Sequence, residues 1–325
     1  MTNILIALVV LLVIVSLVQL TRVSELLAEL KNEDVNEVTD SDNKTQGFLY
    51  LVVGMGFIVF VIWQMFEWNH LLLPAAASVH GAKIDLLMQF TMGMILVVFF
   101  ILTPMLFYFA YRYRGNKKNT AYFFAHDNKL ELIWTIIPTI VLTGVIIYGL
   151  KTWDQVMNVD TSDAKVIEVY SEQFKWTARS SGYDNQLGNS NFKLVTNDNA
   201  LGVDMEDEYS LDDKLLREVH LVVGQPVLLK FRSRDVIHSA FLPHFRVQMN
   251  CVPGLITQFA FTPTKTTKQM RQEEGEDFDY VLLCNKICGA AHYNMQMNFV
   301  VETQEEYDTW IESKKTLSEK LLTQK

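Results

Sequence analysis

The sequence predicts four membrane-spanning helices followed by an all-β domain, a sandwich or a barrel. Three observations carry this. Four runs without a charged residue, 4–20, 48–66, 86–111 and 132–150, each come near the ~20 residues that cross a bilayer core. No such run recurs after Lys151. Beyond it, short β-branched segments alternate with turn residues.

The chain has 325 residues, half of them apolar, with a mean hydropathy of +0.13. The first run has no Lys or Arg before it and no small-residue cleavage pattern before Arg22, so it reads as a retained span rather than a signal peptide. The loop 112–131 holds Arg112, Arg114, Lys117, Lys118 and Lys129, whereas 67–85 holds only Lys83. Basic loops stay in the cytoplasm, so the fourth span delivers the β domain to the outer face, and the N-terminus lies outside as well. Pro104 and Pro138 fall inside spans, which suits a bundle whose neighbours satisfy the freed backbone groups. The segment 24–42 mixes acids with Leu and Val and is expected as a short amphipathic helix in an acidic loop.

In the second half, 165–170, 218–223 and 227–232 read as strands bounded by turns such as 224–226, and 255–261, 279–284 and 297–302 continue the pattern. The stretch 180–213 is long, polar and rich in Asn, Asp and Gly, and reads as an insertion whose acidic run 204–213 is solvated. At 303–322 a Thr-x-x-Glu capping box opens an amphipathic helix. Residues 151–325 carry 26 acids against 19 Lys and Arg, and no basic aromatic patch suits nucleic acid. A negative outer domain would speed encounter with a basic partner.

The loop "CNKICGAAHYNM" carries the chemistry. Cys284, Cys288, His292 and Met295 form a soft donor set that favours copper or zinc over magnesium or calcium. A further ligand must come from elsewhere, and His238 in "RDVIHSAFLPHF" is the best candidate. A Cys284–Cys288 disulfide and a zinc site remain open on these residues alone, although a disulfide leaves His292 and Met295 without a reason for their spacing. Cys251, Met249 and Met297 read as packing; His70, His80, His126, His220 and His244 read as structural or surface residues.

This loop resembles the C-x-E-I-C-G-x-x-H-x-x-M signature of cytochrome c oxidase subunit II, which carries the dicopper CuA centre. "SVHGAKIDLL" and "KLELIWTIIPTIVL" resemble the family's transmembrane hairpin, and "RDVIHSAFLPHFRVQMNCVPG" its first copper-ligand strand. The resemblance implies a cupredoxin-like sandwich. It divides the chain into two extra N-terminal helices (1–70), the hairpin (71–155), the CuA domain (156–302) and a C-terminal helix (303–325). It implies that Cys284 and Cys288 bridge two copper ions, that His238 and His292 bind one each, and that Met295 and the Lys286 carbonyl are the weak ligands. It further implies electron receipt at Phe174 and Trp176 of "SEQFKWTAR", and a proton-pathway mouth at Glu131 of "KLELIWT". The implied partners are oxidase subunits I and III and a cytochrome c or cytochrome c domain. The implied location is a bacterial inner membrane, with oxygen reduction coupled to proton translocation and performed in another subunit.

This sequence departs from the family pattern at several positions. Lys286 stands where the family has a magnesium-binding Glu, and Asn250 where it has an Asp, so an ordinary magnesium site is not expected. Phe174 stands where the family often has Trp, and Arg234 replaces an acid near the donor surface. The two extra spans are expected to dock another membrane subunit. Two other classes compete: a membrane-anchored copper chaperone, which would show βαβ alternation and one anchor, and a quinol oxidase subunit, which would have lost the copper ligands. No C-x-x-C-H haem-attachment motif is present, so the electron donor is expected to be a separate chain.

Overall fold

The structure is a computed structural model that describes residues 2–30 and 38–323. The chain divides into two compact units, Met1–Asn69 with Ile95–Asn128, and His70–Met94 with Lys129–Lys325.

Four long helices, α1 (Thr2–Leu30), α2 (Asp40–Glu67), α3 (Val79–Arg112) and α4 (Asn128–Met157), are long and apolar enough to cross a membrane. The expected helix at 24–42 does not form separately. Its first residues continue α1, 31–37 lie outside the described residues, and Asp40 opens α2. Thr39 caps α2, accepting from the Asp42 N–H while Asp42 accepts in return. In the first unit, Gly54 of α2 lies under the Phe107 ring of α3, and Tyr50 packs on the same ring at 5.6 Å between centroids. A side chain at Gly54 would collide with that ring.

The second unit holds the β domain. Its strands are β1 (Lys165–Glu172), β2 (Lys175–Ser180), β3 (Lys214–Leu216), β4 (Val219–Val222), β5 (Val227–Ser233), β6 (His238–Leu242), β7 (Val247–Cys251) and β8 (Thr257–Phe261). Helix α5 (Thr267–Glu274) precedes β9 (Tyr280–Cys284) and β10 (Gln296–Glu302), and α6 (Gln304–Glu312) and α7 (Leu317–Thr323) follow. They form two five-stranded sheets, ordered β3-β2-β1-β5-β8 and β4-β10-β9-β6-β7, so the domain is a sandwich rather than a barrel. Val169, Leu229 and Phe231 from one sheet share a fully buried core with Ala240, Leu282 and Phe299 from the other. The hairpin end is laced to this sandwich: Arg246 binds Asp85 through Nε at 2.8 Å, and Ser78 donates to the Phe245 carbonyl at 2.7 Å.

Several expectations change. The helix expected over 303–322 is two helices, because Thr316 and Glu319 form a second reciprocal cap (Thr316 N–H to Glu319 at 2.8 Å, Glu319 N–H to Thr316 at 3.2 Å) that starts α7 afresh. Leu255 and Ile256 are exposed turn residues, and β8 begins only at Thr257. The acidic run 204–213 is not solvated throughout: Asp213 is fully buried and paired with Arg179 at 3.0 Å.

Candidate metal centre

Neighbouring strands of one sheet bring the ligand candidates together. His238 is the first residue of β6 and Cys284 the last of β9; these strands pair antiparallel, with Ala240 opposite Cys284. The loop from Asn285 to Met295 is pinned at both ends. The Asn285 N–H donates to the Ser239 carbonyl at 2.9 Å, and the Cys284 N–H to the Met295 carbonyl at 3.2 Å. Inside the loop, Gly289 takes φ +143°, and His292–Asn294 make a single 3-10 turn that carries Met295 back under the site.

The donor atoms converge. Sγ of Cys284 lies 3.9 Å from Sγ of Cys288, and both thiols are free. Cys284 faces Nδ1 of His238 at 3.8 Å; Cys288 faces Nδ1 of His292 at 3.7 Å. The Lys286 carbonyl is 3.2 Å from the first sulfur and Sδ of Met295 is 3.9 Å from the second. His238, Cys284 and Cys288 alone place their ligand atoms within 4.8 Å of one another. His238 and Met295 are buried, Cys284 and His292 half-buried. In the metal-free chain, burial and the neighbouring Cys284 raise the Cys288 thiol to about 11, so a cation must displace its proton. Thiolates, imidazoles and a thioether suit copper by their softness, and the set therefore fits.

A supporting layer emerges that the sequence did not signal. Asp235 Oδ1 accepts from Nε2 of His238 at 2.9 Å, and its Oδ2 accepts the Gln173 N–H at 2.7 Å. Burial works against the charged Asp235, yet hydrogen bonds from His238, Gln173 and Val236 hold its carboxyl below the usual range. The Gln173 side-chain amide donates to the Cys288 carbonyl. Asp three residues before His in "RDVIH" was the one available hint.

Of the two aromatics expected to receive electrons, Phe174 is half-buried against Gly289, whereas Trp176 is inside, its Nε1–H 3.3 Å from the Met295 carbonyl and its ring edge-on to His238 at 6.1 Å. Glu131 is exposed in the first turn of α4, remote in sequence from this loop. Lys286 and Asn250 are both exposed, and Arg234 is matched by Glu172 at 2.8 Å. Cys251 is buried, its thiol pushed up to about 12 mainly by burial, and His220 stacks on Trp310 at 3.7 Å, so both are packing residues.

Residues 63–152 match the family description "Cytochrome C oxidase subunit II, transmembrane domain", and residues 166–304 match its periplasmic domain. Together these cover more than two thirds of the chain. The chain belongs to the cytochrome c oxidase subunit II family. Among its relatives, the alternative cytochrome c oxidase subunit 2 of Bradyrhizobium diazoefficiens is 28% identical over 83% of this chain and 92% of its own length. Cytochrome c oxidase subunit 2 of a Synechocystis species is 24% identical over 80% of each. The solved periplasmic domain of a Bradyrhizobium japonicum cytochrome oxidase subunit II covers 47% of this chain and 94% of its own length, at 19% identity and a TM-score of 0.31. As subunit II, the chain is one component of an oxidoreductase complex, a membrane protein with an outer-face domain and a Cys/His cluster suited to copper. Neither competing class is favoured.

Proposed function

We propose that the cluster is a dicopper CuA centre that takes electrons from a cytochrome c or a cytochrome c domain and passes them to haem in subunit I. One observation carries this: two sulfurs 3.9 Å apart, each facing its own imidazole and its own weak donor. A mononuclear blue-copper site needs one cysteine; here the donors form two sets that share both sulfurs. The Lys286 carbonyl and His238 lie against Cys284, and Met295 and His292 against Cys288. When bound, the copper pair supplies a one-electron relay. The chain's part is to hold six donors on paired strands so that little geometry changes between oxidation states, with Asp235 orienting His238 and Gln173 fixing the Cys288 carbonyl.

Phe174, against Gly289, is the surface side of the electron path, and Trp176 a buried segment between it and the ligands. Glu131 serves as a proton collector at the start of α4. The four-part division at 70, 155 and 302 accounts for the chain, with α1 and α2 docking another membrane subunit and the hairpin packing on subunit I, in a bacterial inner membrane with subunit III alongside. Lys286 and Asn250 leave no carboxylate at those positions for magnesium. The test is copper stoichiometry and electron paramagnetic resonance on the purified full chain. Two coppers with a hyperfine pattern from two equivalent nuclei sharing one electron support the reading; one copper with a single-nucleus pattern overturns it.

A further inference from the structure

Arg246 joins the strand pair that carries a metal ligand to a membrane-spanning helix. It closes the turn between β6 and β7, where Leu242 pairs with Val247; His238 stands at the other end of β6, about 14 Å away at the usual strand rise. Its backbone is left-handed, φ +54°, and its N–H donates to the Pro243 carbonyl at 3.1 Å. The guanidinium grips Asp85 of α3 with two parallel bonds, Nε to Oδ1 at 2.8 Å and Nη2 to Oδ2 at 2.9 Å. It also donates to the Pro74 and Pro243 carbonyls. The Arg246 side chain is only 7% exposed, so water and salt screen this pair little. A planar fork on a carboxylate fixes direction as well as distance. Gly81 leaves the room for it: a Cβ there would sit 3.2 Å from Cγ of Arg246.

The entry to α3 is held by backbone bonds. The Ala77 N–H donates to the His244 carbonyl at 2.7 Å, the Val79 N–H to the Thr262 carbonyl at 3.1 Å, and the Thr264 N–H to the Ala77 carbonyl at 2.8 Å. These bonds meet at Ala77 and Val79 and form a pivot. Asp85 lies six residues along the helix, about 9 Å from the pivot. His80, between them, reaches the Arg246 carbonyl at 3.4 Å. A helix held at one end can swing, and a second grip further along stops it. Lys83 donates to Gln155 of α4 at 3.3 Å, so the direction set for α3 is shared with α4.

We propose that Arg246 and Asp85 are positioning residues for electron delivery. Their ion pair fixes the direction of α3 against the sheet that carries His238, and so sets where the metal centre stands before its acceptor. The acceptor is the haem of the function proposed above, on which this role rests. Electron transfer falls steeply with separation, so loss of the strut slows it even with every ligand in place.

Nitroxides at Met92 of α3 and Glu305 of α6, both exposed, are introduced as a noncanonical amino acid that leaves the cysteines native. Pulsed electron paramagnetic resonance on the full chain in lipid nanodiscs reads their separation without metal. The parent is expected to give one narrow distance. Arg246→Asn suits the left-handed backbone, and Asp85→Ala leaves that backbone untouched. Each should broaden the distribution, and the double variant should broaden it no further. Distributions as narrow as the parent's overturn the proposal. In the assembled oxidase the same variants should keep the parent copper spectrum while transfer from copper to haem slows by about tenfold. Transfer at the parent rate overturns the proposal even where the distances broaden. Should Arg246→Asn fail to fold, Asp85→Ala decides alone. A parent without a dicopper signal would instead overturn the function proposed above, with the distance result unaffected.

Discussion

Asp235 accepts the Nε2–H of His238 at 2.9 Å, and this leaves Nδ1 of the same ring facing the Cys284 sulfur at 3.8 Å. One carboxylate thus fixes both the ring's tautomer and its aim. Asp235→Asn keeps the shape but replaces the anion with an amide that can donate, which favours a proton on the nitrogen that faces the metal. Copper affinity of the full chain, measured against a competing chelator, should fall by about 10–100-fold. The paramagnetic hyperfine pattern should change as well, a response that a purely structural role would not give. Unchanged affinity and spectrum would remove Asp235 from the site.

Gly289 has φ +143°, and a Cβ there would sit 2.8 Å from the Phe174 ring and 2.9 Å from the Gln173 amide nitrogen. Gly289→Ala therefore strains the backbone, by about 1–3 kcal/mol for such a conformation, and displaces the amide that holds the Cys288 carbonyl. The expected result is a lower melting temperature together with weaker copper retention on dialysis. Phe174→Ala in the Gly289→Ala background should restore part of both, because it removes the ring that the new methyl strikes.

Arg179 lies between Glu168 at 2.9 Å and Asp213 at 3.0 Å, with all three side chains almost completely buried. Arg179→Ala leaves the buried Asp213 without its cation, although Glu168 keeps Arg232 at 2.9 Å, and should cost about 3–5 kcal/mol. Burial, against the pull of Arg179, pushes the Asp213 carboxyl up to about 7. A carboxyl that holds its proton more tightly when folded than unfolded contributes stability that grows as pH falls from about 7 towards its unfolded value and is lost as pH rises through 7. Urea melts of the parent and of Asp213→Asn across pH 4–8 check this: the variant should lose that slope, and a parallel pair of curves would contradict it.

The membrane half was legible because hydrophobic runs of bilayer length need no tertiary context, and the metal loop because four soft donors cluster in twelve residues. The strands of the sandwich were legible where Val, Leu and Ile alternate, as in β1 and β5. Strand β2 was not, because Arg179 and Ser180 look like surface residues until the folded partner Asp213 explains their burial. Asp213 was misread for the same reason from the other side. Asp235 and Gln173 escaped because each acts by hydrogen bonds to residues distant in sequence or to a ligand's far nitrogen, and no local periodicity records that. Thr316 and Glu319 were legible in principle: their spacing repeats the box at Thr303 and Glu306 that was read.

The three cysteines should separate by chemistry. Cys251 is fully buried opposite His238 in the β6–β7 ladder, and its thiol is raised to about 12, so it should resist alkylation in the native metal-free chain. Cys284, half-buried in the loop, should label first, and copper should protect it. Because the Cys288 thiol sits near 11 without metal, binding at neutral pH must expel its proton, and affinity should climb by about tenfold per pH unit for each thiol proton released. Copper titrations at several pH values between 6 and 8 should give that slope for the parent. Cys288→Ser should lower it by about one decade per unit along with the affinity itself, and Cys251→Ala should leave both where they were. A parent affinity independent of pH would mean that the thiols are not the ligands, whatever their spacing; a Cys251→Ala variant that loses copper would mean that the third thiol belongs to the site after all.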